Sequence, residues 1–146
     1  MTDLNDLYQE IILDHYAHPH HFGPLADANR EAEGYNPLCG DQVHLRLRVE
    51  GERIADLAFE GSGCAISTAS ASAMTDAVAG QSVADALALQ GRMLAVLTGA
   101  DEDPAHLDDL GELAAFAGVR NYPMRVKCAT LAWHALREAL TAPPLG

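Results

Sequence analysis

Three cysteines and one aspartate carry the chemistry that this chain offers. Cys39 and Asp41 stand two apart in Asn36-Pro37-Leu38-Cys39-Gly40-Asp41, Cys64 follows Gly61-Ser62-Gly63, and Cys128 follows Arg125-Val126-Lys127. Three sulfurs and one carboxylate make a four-ligand set for a borderline-soft metal. Gly40 lets the backbone turn tightly, so the side chains of Cys39 and Asp41 can converge on one point. Cys64 falls at an expected strand-to-helix junction, where free N–H groups and the positive end of the helix dipole favour a thiolate. Cys128 is expected in the first turn of the last helix, between the charges of Arg125 and Lys127, which favour its thiolate too. Closely spaced CxxC pairs, the usual mark of a structural zinc site, are absent. Burial as small apolar residues is the plain alternative, but the glycine-flanked contexts of Cys39 and Cys64 fit a packed core poorly. A lone aspartate among thiolates is a harder, weaker ligand, which suits a labile site. Structural, catalytic and sulfur-carrying roles all remain open on these residues alone.

The elements that must position them can be read from periodicity. Leu4, Leu7, Tyr8, Ile11, Ile12 and His15 recur at helical spacing, which predicts an amphipathic helix over Leu4 to Tyr16, capped by Thr2 or Asp3. Val43, Leu45, Leu47 and Val49 alternate with polar residues, as do Ala55, Leu57 and Phe59 beyond a turn at Gly51. That is an antiparallel hairpin with one wet face, and a further strand through Gly34-Tyr35-Asn36 would help to stabilise it. From Cys64 onward the pattern is helical. It predicts Ala65 to Ala79, a short helix from a Ser82 cap to Leu89, another short turn over Arg92 to Leu97, Leu107 to Phe116 broken by Gly111, and Arg125 to Leu140. No repeat, linker or low-complexity tract divides the 146 residues, so one domain spanning 1–146 is expected.

Composition narrows the function classes. Nine basic against twenty-one acidic residues argue against nucleic acid and against anionic lipid, and suit a basic protein partner. The N-terminus lacks the pattern of a signal peptide, and no apolar run is long enough to span a membrane. An odd cysteine count without a secretion signal points to reduced thiols and a cytoplasmic location. Neither His-Glu-x-x-His nor His-x-Glu with Pro-Cys-x-x-Cys occurs. A zinc hydrolase or deaminase would therefore have only Glu60 near a ligand as general base. His15, His18, His20 and His21 read as a helix end and a polar loop, with His15 a core or interface histidine on the apolar face. His106 and His134 are expected at the surface, and Trp133 in the core.

With these residues in view, the chain closely resembles the U-type iron–sulfur cluster assembly proteins, the IscU/NifU N-terminal family, and within it the SufU branch. Leu7-Tyr8-Gln9-Glu10-Ile11-Ile12-Leu13-Asp14-His15-Tyr16, then Pro19 and Gly23, resembles the family's opening helix. Asn36 to Asp41, Phe59 to Ser72 and Arg125 to Trp133 resemble its three ligand segments. Lys127 stands where IscU scaffolds carry histidine, Asn121-Tyr122-Pro123-Met124 replaces their proline-rich chaperone segment, and the stretch from Gly80 to Cys128 is longer; all three are features of the SufU branch. The resemblance implies an α+β fold of the SufE/NifU-like kind, a small antiparallel sheet with helices packed on one face. It implies that Cys39, Asp41, Cys64 and Cys128 hold zinc, with iron or a [2Fe-2S] cluster as the alternative or transient occupant. It implies that Cys39 accepts persulfide sulfur from a pyridoxal-phosphate-dependent cysteine desulfurase of the SufS type, whose histidine would take a place on the zinc and free Cys39 to attack. Arg125 would give electrostatic support. Apo iron–sulfur proteins and other assembly components are the implied further partners. The alternative that the family carries is a scaffold on which a nascent cluster is built and handed on.

Overall fold

The computed structural model describes residues 4–37, 40–101 and 103–144, without the side chains of residues 4–6 and 104. Cys39, one of the four expected ligands, and the expected caps Thr2 and Asp3 lie outside the described residues. The element order is α1 (Leu4–Ala17), β1 (Arg30–Asn36), β2 (Asp41–Glu50), β3 (Arg53–Ser62), α2 (Ala65–Val78), α3 (Val83–Thr98), α4 (Pro104–Asp108), a run of 3₁₀ turns (Gly111–Asn121) and α5 (Pro123–Thr141). It is an α+β fold.

The three strands form one antiparallel sheet in the order β1-β2-β3. The extra strand expected near Gly34 is β1, with Gly34 opposite Val43 and Asn36 opposite Asp41. One face carries Ala32, Val43, Leu45, Leu47, Leu57 and Phe59, all buried. The other carries a charged ladder in which Arg46 pairs with Glu60 at 2.7 Å and His44 with Glu31 at 3.1 Å. The expected alternation slips at one place. A register shift at Arg48/Val49 sets Val49 opposite Ile54, so Ile54 takes the inner position and Ala55 is exposed. Such a bulge inserts one residue and reverses the facing beyond it.

Helices α2 and α5 lie on the apolar face, and α1 and α3 pack against them. Gly34 lets α5 approach β1: a Cβ there would stand 2.9 Å from Leu131 Cδ1. The outer edge of β3 is covered as well. The Phe59 N–H donates to His21 O and the Gly23 N–H to Phe59 O, both at 2.9 Å, and Arg53 bridges to Ser82. Edge strands left bare invite pairing with other chains.

Three helix expectations are corrected. The two short pieces after Ser82 are one helix, α3, running through Gly91. Its buried face of Ala86, Gln90, Met93 and Leu97 continues at spacings of three and four across that glycine. The packing outweighs the roughly 1 kcal/mol that a helical glycine costs. The element expected over Leu107 to Phe116 is split: α4 ends at Asp108, and 3₁₀ turns run from Gly111 to Asn121. Beside it, the His106 imidazole donates to the Asp101 carboxylate, which raises its pKa above the ordinary histidine value. Finally, α5 begins at Pro123, so Cys128 lies in its second turn rather than its first.

Candidate metal centre

Asp41 opens β2, Cys64 caps α2 and Cys128 lies in α5, and the fold brings all three together. One ligand atom from each lies within 4.8 Å of the others. Asp41 is fully buried. Its Oδ1 accepts the Cys64 main-chain N–H at 2.8 Å, and its Oδ2 is 3.8 Å from Cys64 Sγ. Cys64 Sγ in turn accepts the Ser67 N–H at 3.5 Å, the N-cap bond of α2. Cys128 Sγ is 3.7 Å from Met124 O, one helical turn back.

This donor set fits a tetrahedral zinc ion. Ligands at about 2.0–2.3 Å from zinc stand roughly 3.3–3.8 Å apart in a tetrahedron. The 3.8 Å between Asp41 Oδ2 and Cys64 Sγ is already such an edge. Among the described residues no lysine, arginine or histidine forms an ion pair with the Asp41 carboxylate. A buried carboxylate beside two thiols is costly unless a cation compensates it. Cys39, two residues before Asp41 in the chain, is the remaining expected ligand.

Gly63 makes the approach of Asp41 to Cys64 possible. Its φ is +154°, and a Cβ there would stand 2.3 Å from Asp41 Oδ1 and 3.0 Å from Asp41 Cα. Gly63→Ala is therefore expected to displace the carboxylate. We expect a loss of about 1–3 kcal/mol, the range for a strained backbone position, measured by urea denaturation, together with faster loss of zinc to a chelator. A variant with wild-type stability and zinc retention would mean that Asp41 is free to shift.

Cys128 was expected to be presented near a helix end, but it is completely buried. Cys128 is turned into the core, whereas its neighbours Arg125 and Lys127 are exposed. Cys64, by contrast, is partly exposed and opens onto a cleft of about 970 Å³. Tyr8, Ile12, Arg120, Tyr122 and Arg125 line the same cleft. Lys127 does not. Glu60, the general base that a hydrolase would need, is paired with Arg46 on the charged face of the sheet.

The histidines divide. His134 and His106 are exposed, as expected, and His15 is a satisfied core histidine, 2.7 Å from Ser72 Oγ. His20, however, is not merely part of a polar loop: it meets His15 and Asp76, a residue that the sequence reading passed over. Asp76 follows His15 by sixty-one positions and forms no local motif with it, so only its place on α2 reveals the contact.

Comparison with known proteins gives a consistent picture. The family model described as NifU-like N terminal domain matches residues 7–141. The iron-sulfur cluster assembly scaffold protein IscU of Streptococcus pyogenes serotype M1 is 46% identical over 140 residues, covering 96% of this chain and 86% of that protein. The zinc-dependent sulfurtransferase SufU of Bacillus subtilis is 39% identical over 139 residues, covering 95% and 92%. Among solved structures, a SufU from Fervidobacterium islandicum AW-1, described as a candidate scaffold protein for the SUF system, superposes with a TM-score of 0.84 at 36% identity. It covers 95% of this chain and 100% of that one.

Proposed function

The chain belongs to the NifU-like N-terminal domain family, and from that premise we propose that it acts in iron–sulfur cluster assembly as a zinc-binding sulfur acceptor. The observation that carries this reading is the meeting of Asp41, Cys64 and Cys128 within 4.8 Å. The zinc-dependent sulfurtransferase SufU of Bacillus subtilis supports it, being similar along nearly the whole chain.

In this reading Cys39, Asp41, Cys64 and Cys128 hold the zinc. When bound, zinc supplies a Lewis acid that keeps thiols deprotonated near neutral pH. Cys39 is the acceptor. Its thiolate attacks the terminal sulfur of a persulfide on the donor enzyme; a new S–S bond forms at Cys39, the donor's S–S bond breaks, and the donor cysteine leaves as a thiolate. No net oxidation or reduction occurs. The donor is a pyridoxal-phosphate-dependent cysteine desulfurase of the SufS type, and the sulfur is destined for apo iron–sulfur proteins through the assembly machinery.

Three features of the site favour a protein donor. The cleft beside Cys64 carries Arg120 and Arg125, two cations in a chain of net charge −12, suited to steadying a persulfide or thiolate at the transfer point. Large apolar side chains, Tyr35, Tyr122 and Met124, are exposed close in sequence to the ligands. Buried Cys128 and Asp41 suit holding a metal rather than attacking a partner.

The test is sulfur transfer. With a desulfurase and radiolabelled cysteine, the wild-type chain should carry label that reductant releases, and Cys39→Ala should carry at least tenfold less while still binding zinc. Equal labelling of Cys39→Ala would remove Cys39 from the acceptor role. A second reading is a scaffold for a nascent cluster, favoured by the 46% identity to a protein named an IscU scaffold. It requires that anaerobic reconstitution with iron and sulfide yield a stable chromophore transferable to an apo-protein. A colourless protein that keeps its zinc would exclude it.

A further inference from the structure

A second group of metal-ligand type lies away from the thiol site: His15 near the end of α1, His20 in the loop that follows, and Asp76 near the end of α2. One ligand atom of each lies within 4.8 Å of the others. We propose that these three residues form a second, sulfur-free binding site for a divalent first-row cation, zinc or nickel, bound through two imidazoles and a carboxylate.

The side chains are already oriented for it. His15 is 2% exposed. Its Nδ1 is 2.7 Å from Ser72 Oγ and its Nε2 is 3.3 Å from Glu112 Oε2. Imidazole ligands almost always donate their second N–H to a carboxylate or carbonyl, which fixes tautomer and ring orientation; with Nε2–H given to Glu112, Nδ1 is the ligating atom, and a cation there takes the place of the Ser72 hydroxyl. The same Ser72 Oγ accepts the His20 main-chain N–H at 2.7 Å, so the loop is pinned beside the His15 ring. The two rings lie with centroids 4.6 Å apart. His20 Nδ1 is hydrogen-bonded to Asp76 Oδ2, and a cation would take the place of that hydrogen bond. The other oxygen of Asp76 is 3.5 Å from His21 Nδ1, which adds a third imidazole at the rim.

The backbone of this loop is held from the far side too. His21 is the one non-glycine residue with positive φ among the described residues, at 56°. Left-handed backbone costs roughly 1–2 kcal/mol at such a residue. It persists here because His21 O accepts the Phe59 N–H and the neighbouring Gly23 is bonded to Phe59. The three side chains are thus held together before any cation arrives, and the site opens to solvent: the side chains of His20 and Asp76 are 42% and 37% exposed. Imidazole and carboxylate donors suit zinc, nickel or copper(II). The strongly acidic chain concentrates cations at its surface.

The site is tested by counting metal on untagged protein. Metal-free wild type is dialysed against zinc and analysed for elemental content, and cobalt(II) is titrated as a spectroscopic probe. We expect two equivalents, one giving the near-ultraviolet charge-transfer band of thiolate ligation and one giving only weak visible bands. His20→Ala and Asp76→Asn should each weaken the second equivalent at least tenfold and leave the charge-transfer band intact. Cys128→Ser should do the reverse, so failure of the thiol site and failure of this one are separable. His20 and Asp76 are both surface-exposed, and unchanged melting of their metal-free variants would confirm that these fold. One equivalent in wild type, or a second equivalent that survives in the His20→Ala/Asp76→Asn double variant, overturns the proposal.

Discussion

Cys128→Ser should lose more than about 100-fold in zinc affinity, because losing a thiolate that binds the metal costs more than the 10–100-fold typical of losing a group that only orients a ligand. The metal-free protein should change little. The new hydroxyl sits one turn from Met124 O, the carbonyl now 3.7 Å from Cys128 Sγ, and can donate to it. A hydrogen-bonded hydroxyl in place of a thiol costs on the order of 1 kcal/mol. The large effect appears only in holo protein. A ligand at 1,000 times its dissociation constant stabilises the folded state by about 4 kcal/mol, and a 100-fold weaker site gives back about 2.7 kcal/mol of that. Urea unfolding with and without chelator should therefore show a wide gap for wild type and a narrow one for the variant. Asp41→Asn sharpens the contrast. Its amide oxygen can still accept the Cys64 N–H that Asp41 Oδ1 now takes at 2.8 Å, while the buried negative charge disappears. Metal-free Asp41→Asn should be at least as stable as metal-free wild type, and zinc-loaded Asp41→Asn should be less stable than zinc-loaded wild type. If both variants kept wild-type zinc affinity, the three residues would be neighbours in a core and not a metal centre.

Much of this arrangement was legible from local pattern. Alternation from Val43 to Val49 and from Leu57 to Phe59 is a short-range property, so the hairpin and its inner face could be read directly. Cys64 at a helix start was likewise readable, because Gly-Ser-Gly before a small-residue helix marks a junction. The failures share a different cause. Ala55 and Ile54 exchanged faces through a bulge, which leaves no sign in the alternation of a single strand. The stretch after Ser82 reads as two short pieces, to Leu89 and from Arg92, yet α3 is one helix whose buried Met93, Val96 and Leu97 hold it across the gap. The burial of Cys128 depended on where α5 begins, and Pro123 sets that start two residues before the expected one. The pairing of His20 with Asp76 spans fifty-six positions and two elements. No periodicity reports such a contact; it follows only from the packing of α1 and its loop on α2.

Trp133→Ala should be the most damaging substitution in the core, lowering the unfolding free energy by about 3–5 kcal/mol, the range for large aromatic truncations. A domain of this size has about 5–15 kcal/mol in all, so the variant would stand close to its unfolding threshold. Trp133 is completely buried and joins three helices. Its indole N–H donates to Ser70 Oγ at 3.2 Å, across to α2, and Ser70 Oγ donates to Ala129 O at 2.7 Å, back to α5. Its own carbonyl accepts Gln90 Nε2 of α3 at 3.3 Å. Because α2 carries Cys64 and α5 carries Cys128, this network sets the separation of two proposed ligands. Trp133→Phe isolates the indole N–H: most of the apolar volume stays, and Ser70 keeps its bond to Ala129. A loss of about 1 kcal/mol, the usual net worth of one hydrogen bond, is expected there, plus a small term for the missing volume, with zinc retained. Unfolding is best followed by circular dichroism, since Trp133 is the sole tryptophan and its removal abolishes the usual fluorescence signal. A loss below about 1 kcal/mol for Trp133→Ala would be too small for a fully buried aromatic, and would mean that α2 and α5 are held apart by other contacts. A loss in the expected range with weakened zinc binding would tie the metal centre to the core beneath it: the helix interface sets the ligand spacing.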